Sequence, residues 1–210
     1  MIWKRTAPHR QPPESGRSGE GGGEGMSLMG RGDTATMLEA LEESVDHVRG
    51  PASAPVILEY GDYECPYSRM AFRAIEQVER MAPGGVRFAF RHYPLTDVHP
   101  HALAASCAAE AAAAEDRFWE MHELLYHRQL ALEDSDLRGY AKELGLNLAR
   151  FDSDRAGSAA LERIQRDVRS GDATGEVLGT PTLFINGVIY RGPHDAESFM
   201  AALALSQPSG

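Results

Sequence analysis

The chain lacks a Cys-x-x-Cys pair. Its 210 residues hold two cysteines, Cys65 and Cys107, in unrelated contexts, so neither a paired redox motif nor a four-ligand zinc spacing exists. Chemistry at sulfur has to begin from one thiol. Basic charge is also scarce: 21 Lys and Arg face 31 Asp and Glu, a net charge of -10. Affinity for phosphate backbones comes from clustered cations, so nucleic acid is set aside as a partner. No run approaches the roughly 20 apolar residues of a membrane-spanning helix. No apolar stretch follows Lys4, Arg5 and Arg10 as a secretory signal requires. The expectation is a cytoplasmic protein without membrane insertion, in a compartment that keeps thiols reduced.

Residues 1–35 are rich in Gly, Pro, Ser, Arg and Glu and have too little apolar content to offset the entropy of ordering, so a disordered tail is predicted there. A folded domain is expected over 36–206, with a flexible end at 207–210. Val56-Ile57-Leu58-Glu59-Tyr60 is a short apolar run of the kind buried on both faces of a sheet. Ala71, Ile75 and Val78 recur at helical spacing up to Pro83-Gly84-Gly85, after which Val86, Phe88 and Phe90 alternate with Arg87, Ala89 and Arg91. This is a βαβ unit. From about 100 to 170 the periodicity is helical throughout, including the alanine-dense Ala102 to Ala114. Thr182-Leu183-Phe184-Ile185 and Val188-Ile189-Tyr190 flank Asn186-Gly187, a hairpin signal because both turn residues tolerate positive φ, and Asp195 to Leu205 supplies a closing helix.

Cys65 sits where the first strand gives way to helix. The free N–H groups and the dipole at a helix start favour thiolate over thiol, and Pro66 suits the first helical position because its missing N–H is not needed there. A buried, inert cysteine is the competing reading. Glu59 lies inside an apolar strand, where a carboxyl is costly unless paired, hydrated or protonated. Its proton affinity should rise, which makes it a candidate relay beside Cys65, with a hydrogen-bonded structural carboxyl as the alternative. Tyr63 and Tyr67 are candidates for an apolar substrate rim or for wall packing. Cys107 is expected to be buried and structural in its small-residue helix. His99 with His101, and His122 with His127, lack the spacing of a helical metal pair, so no metal is expected and His122 is read as a hydrogen-bonded core residue.

Four separated motifs, in one order, carry a family resemblance. Glu59-Tyr60-Gly61-Asp62-Tyr63-Glu64-Cys65-Pro66-Tyr67-Ser68, His99-Pro100-His101-Ala102, Phe118-Trp119-Glu120-Met121-His122 and Gly179-Thr180-Pro181-Thr182-Leu183-Phe184-Ile185-Asn186-Gly187 together resemble a DsbA-like thioredoxin domain over about Asp46 to Ala202. His92-Tyr93-Pro94-Leu95-Thr96-Asp97-Val98-His99 is similar to a branch whose members occur alone or fused behind sodium/proton antiporters. The resemblance implies an α/β thioredoxin-like fold, with an all-helical insertion between the βαβ half and the hairpin-helix half. It makes Cys65 the attacking cysteine, Glu59 the buried acid and Thr180-Pro181 the cis-proline loop that lines the substrate site together with Pro66 and Tyr67. Ser68 stands where the family has its second cysteine.

A serine hydroxyl does not resolve a mixed disulfide at neutral pH. The expected activity is therefore thiol-disulfide exchange through Cys65 alone on protein or small-molecule thiols and disulfides, with no cofactor beyond a low-molecular-weight thiol as co-substrate. The chemistry requires a sulfur that a substrate reaches. Two other readings are a thioredoxin-fold binding module without turnover and a kappa-type glutathione transferase or isomerase, against which stands the cysteine at the first motif position.

Overall fold

In a computed structural model the described residues are 38–82 and 84–205. The tail expected at 1–35 and the flexible end at 207–210 lie outside them. Five strands among the described residues form one sheet in the order β1-β3-β2-β4-β5: β1 (His47–Arg49), β2 (Val56–Gly61), β3 (Arg87–His92), β4 (Thr182–Ile185) and β5 (Val188–Tyr190). The parallel pair β2 and β3 is joined by helix α1 (Pro66–Met81), while β1, β4 and β5 pair antiparallel with their neighbours. The β4–β5 turn holds Asn186 at φ 46° and Gly187 at φ 83°, the left-handed pair that matches the twist of a two-residue hairpin. Asn186 also ties the turn to the start of β2, its Oδ1 accepting from the Val56 N–H at 2.7 Å.

Alternation along the strands sorts side chains between two layers. Ile57, Phe88, Phe90, Leu183 and Ile185 point toward α1, whose Ala71, Phe72, Ile75 and Val78 recur at the spacing of one helical face. Burying each large apolar side chain contributes roughly 1.5–3 kcal/mol before chain entropy is counted. Leu58, Tyr60, Ala89 and Phe184 point the other way and pack with Val168 and Val177. Glu59 lies on the Ile57 side, under α1.

Between β3 and β4 run α2 (Ala102–Ala113), α3 (Phe118–His127), α4 (Asp134–Glu143), α5 (Leu148–Ala156) and α6 (Ser158–Thr174), and α7 (Ala196–Leu205) closes the chain. The α/β fold with its helical segment follows the sequence expectation, although helix persists to Thr174 rather than about 170 and ends at Gly175, φ 67°, a left-handed cap. Alanines let α2 sit in the middle of the segment, with Ala105, Ala108, Ala109, Ala111 and Ala112 all buried. Strand β1 is absent from the sequence expectation, and β2 and β3 each extend one residue further, to Gly61 and His92. Among the described residues no helix is long and apolar enough to cross a membrane.

Candidate active site

The turn from β2 into α1 is pinned from three directions. Buried Asp62 accepts hydrogen bonds from the Glu64 N–H, the Leu95 N–H and His99 Nδ1, each at 2.8 Å. Gln129, at the end of the α3 segment, donates its Nε2 hydrogens to the carbonyls of Tyr63 at 2.7 Å and Cys65 at 2.9 Å. Glu64 accepts from the His101 N–H at 2.6 Å. Tyr63 is buried against Phe90 and Tyr126, and its hydroxyl meets His122 Nδ1 at 3.0 Å. Held this way, Cys65 becomes the N-cap of α1, in extended conformation, with Pro66 as the first helical residue.

The second wall of the site comes from the far end of the chain. The Thr180–Pro181 peptide bond is cis, and the Cys65 Sγ–H donates to the Thr180 carbonyl at 3.2 Å. The nucleophile candidate and the proline loop, 115 residues apart in sequence, are therefore in direct contact. Around them the structure exposes apolar side chains: Tyr67 is 62% exposed and Leu178 89%, with Met70 and Leu130 also open to solvent. A cleft of about 490 Å³ runs beside Pro66, lined by Glu64, His99, His101, Gln129 and Leu130.

Below the sulfur lies a buried polar cluster. Ser68, one helical turn after Cys65, is fully buried and accepts from the Asp62 N–H at 3.3 Å. Glu59 is fully buried as well, and among the described residues neither of its carboxyl oxygens has a hydrogen-bond partner of good geometry, nor does the Tyr126 hydroxyl. Burial pushes the Glu59 carboxyl up to about 8, the Ser68 hydroxyl opposing this only in part. Glu59 is consequently protonated at neutral pH. Gly61 brings the cluster together: a Cβ there would lie 2.8 Å from Glu59 Oε1, 2.9 Å from the Tyr126 hydroxyl and 2.4 Å from the Phe90 ring.

Five of the residues singled out from sequence, Cys65, Ser68, Pro66, Thr180 and Pro181, lie around or directly beneath the α1 start and the loop that touches it, with Tyr67 at the rim. Glu59 joins them from the strand below. Of the two alternatives for Tyr63, rim or wall packing, the structure has wall packing, with the ring buried against Phe90 and Tyr126. One expectation needs correction. Cys65 is only 3% exposed, its sulfur against the Thr180 carbonyl, where the sequence reading expects a sulfur that a substrate reaches. Cys107 is a free thiol, as is Cys65. It packs against Ala160 and Ile164 in a separate cluster, and burial pushes it up to about 11. Burial also holds the His122 imidazole well below its ordinary range. Asp62, Gln129 and Tyr126 escaped the sequence reading; of these only Asp62, within the Glu59-to-Ser68 motif, carried a local signal.

This architecture has relatives. The Na(+)/H(+) antiporter NhaA 3 of Salinispora tropica is 44% identical over 168 residues, 80% of this chain and 26% of the antiporter. The Na(+)/H(+) antiporter NhaA of Herminiimonas arsenicoxydans is 39% identical over 177 residues, 83% of this chain and 28% of the antiporter. The chain spans about a quarter of the length of these curated relatives. Among solved structures, a thioredoxin-like oxidoreductase from Silicibacter pomeroyi superposes with a TM-score of 0.69 at 21% identity, covering 80% of this chain and 98% of that one. BdbD from Bacillus subtilis gives 0.66 at 19% identity, covering 77% and 92%. At these identities the likeness is one of fold. The profile of the family described as thioredoxin extends further than any single motif, matching residues 42–204, from before β1 into α7, and the chain belongs to the thioredoxin family.

Proposed function

We propose that the chain is a thiol-disulfide oxidoreductase that works through Cys65 as its only reacting cysteine. The Cys65 thiol gives up its proton and attacks one sulfur of a substrate disulfide, the Cys65–substrate bond forms as the S–S bond breaks, and the other half leaves as a thiolate that takes up a proton in turn. A low-molecular-weight thiol then attacks the mixed disulfide, leaves bonded to the substrate sulfur, and returns Cys65 to the thiolate. Ser68 occupies the position from which a second thiol would otherwise perform that step. The observation that carries this reading is the contact between Cys65 Sγ and the Thr180 carbonyl at 3.2 Å, which puts a helix-start cysteine against a loop able to hold extended substrate backbone. The exposed Tyr67, Met70 and Leu178 favour protein substrates with apolar flanks. The solved relatives with this fold include one described as a thiol-disulfide exchange protein, from Wolbachia pipientis.

The covering of Cys65 favours a second reading, a domain that binds extended segments without turnover. Incubation with a glutathionylated peptide separates the two. Mass spectrometry is expected to find the mixed disulfide on Cys65 in the wild type, its loss on addition of free glutathione, and no adduct in Cys65→Ser. An unmodified wild type under these conditions would leave only the binding reading.

A further inference from the structure

Away from Cys65, three side chains from three elements converge under the sheet edge. His47 on β1 pairs in register with Phe90, so it shares a face with Phe90 and His92 on β3, and Glu110 on α2 rises to meet both. The Nε2 atoms of His47 and His92 lie 2.6 and 2.7 Å from Glu110 Oε1, and one ligand atom from each residue falls within 4.8 Å of the others. We propose that His47, His92 and Glu110 form a binding site for a divalent first-row transition ion, with Zn²⁺ the best-matched member of that class.

The donor set is the first support. Two imidazole nitrogens and one carboxylate oxygen are what an open zinc site uses, with water in the remaining position. The second is rigidity. The His47 ring is stacked on Phe118 at 3.4 Å between centroids and 8° between planes. His92 is fully buried, with the edges of Phe90 and Tyr63 against it. Ligands fixed before the ion arrives lose little freedom on binding it. The third is access: a cavity of about 640 Å³ opens onto His47 and Glu110, with Ser44, Ala113 and Arg163 among its other walls. The fourth is the crowding of the ion-free arrangement, in which a single Glu110 oxygen serves two imidazoles. Arg163, the cation that would oppose a metal, is paired with Asp167 and lies 4.0 Å from Asp46, carboxylates it shares with Arg166.

Metal–ligand bonds of about 2.0–2.2 Å set the donor atoms roughly 3 Å apart. From their present 2.6 and 2.7 Å contacts, Glu110 Oε1 has to withdraw from both imidazoles to admit the ion, while the two Nε2 atoms, within 4.8 Å of each other, close on it; the Glu110 side chain borders the cavity that would receive it. A bound ion would fasten the short edge strand β1 to β3 and α2, a structural consequence independent of the thiol chemistry.

The test is a titration of the chelator-treated full chain with Zn²⁺ by calorimetry and with Co²⁺ by visible absorption. One ion per chain is expected, with micromolar or tighter affinity and cobalt bands of nitrogen and oxygen ligation without thiolate charge transfer. His47→Ala and Glu110→Gln should each weaken binding by at least about 100-fold, more than the loss of a supporting residue around a metal ligand causes. His47 lies at the sheet edge and Glu110→Gln is isosteric, so both variants are expected to keep the wild-type circular dichroism. Zn²⁺ should raise the thermal midpoint of the wild type and leave that of Glu110→Gln unmoved, a readout available even if His47→Ala unfolds. Absence of saturable binding by the wild type, or binding undiminished in Glu110→Gln, would overturn the assignment.

Discussion

Replacing Glu59 by glutamine tests the buried acid without changing its shape. In the folded chain burial lifts this carboxyl from 4.5 to about 8, while in the unfolded chain it ionises near 4.5 like any exposed glutamate. Between those two values the unfolded state holds fewer protons than the folded one, so stability falls as pH rises. The contribution is fully present below pH 4.5 and is lost as pH climbs through 8. Each tenfold change in proton affinity is worth about 1.4 kcal/mol, so the whole effect amounts to roughly 5 kcal/mol if the site stays dry. Roughly 3–4 kcal/mol of it falls between pH 5 and pH 8, which for a domain of this size corresponds to roughly 6–16 °C in thermal midpoint. Urea unfolding of wild type and Glu59→Gln at several pH values isolates the term, because the other titrating groups cancel in the difference. The variant should gain on the wild type steadily with pH. Two profiles that stay parallel within about 0.5 kcal/mol would refute the claim that Glu59 is buried protonated.

Ser68→Cys places a second sulfur one helical turn from Cys65, within the Cα separation a disulfide spans; oxidation should then remove two hydrogens from the intact mass, and release of a bound peptide should no longer depend on added thiol. Gly61→Ala drives a methyl group to 2.4 Å from the Phe90 ring and 2.8 Å from Glu59, and chemical denaturation should register a loss of about 1–3 kcal/mol. Gln129→Ala strips the carbonyls of Tyr63 and Cys65 of a shared buried donor, so about 1–3 kcal/mol of stability should go, and mixed-disulfide formation at Cys65 should slow as its loop loosens.

What was legible in the sequence was what one segment decides for itself. The apolar run at Val56–Tyr60, the alternation at Val86–Arg91 and the Asn186-Gly187 turn each announce their own backbone, and the observed boundaries differ from the expected ones by a residue or so. Cys65-Pro66 likewise announces a helix start. Strand β1 is silent because it has three half-buried residues, no alternation long enough to read, and exists only as a partner for β3. Gln129 and Tyr126 reach the site from the helical segment, and nothing in their neighbours says that this segment folds back over the turn before α1. Tyr63 stayed undecided between rim and wall for the converse reason: adjacency to Cys65 in the chain does not decide which side of the backbone a ring takes, and its packing against Phe90 and Tyr126 does.

The surroundings of Glu59 bear on two accounts that sequence leaves level. A structural carboxyl in an apolar layer would satisfy its oxygens with neighbouring donors, since an unpaired buried polar group costs about 1–3 kcal/mol. Among the described residues the Glu59 oxygens meet no donor of good geometry, the Ser68 hydroxyl being their nearest polar company, and the Tyr126 hydroxyl lies beside them without one. The fold thus keeps two buried oxygen-bearing groups around Ser68 that stability alone would replace with carbon. Strain and unpaired polarity of this sort concentrate where a protein does chemistry. A proton held near neutrality under the first turn of α1 is of use to a sulfur that alternates between thiolate and disulfide, and of no use to an inert one. The proton inventory of the cluster, more than the identity of any single residue, is what the proposed exchange at Cys65 calls for.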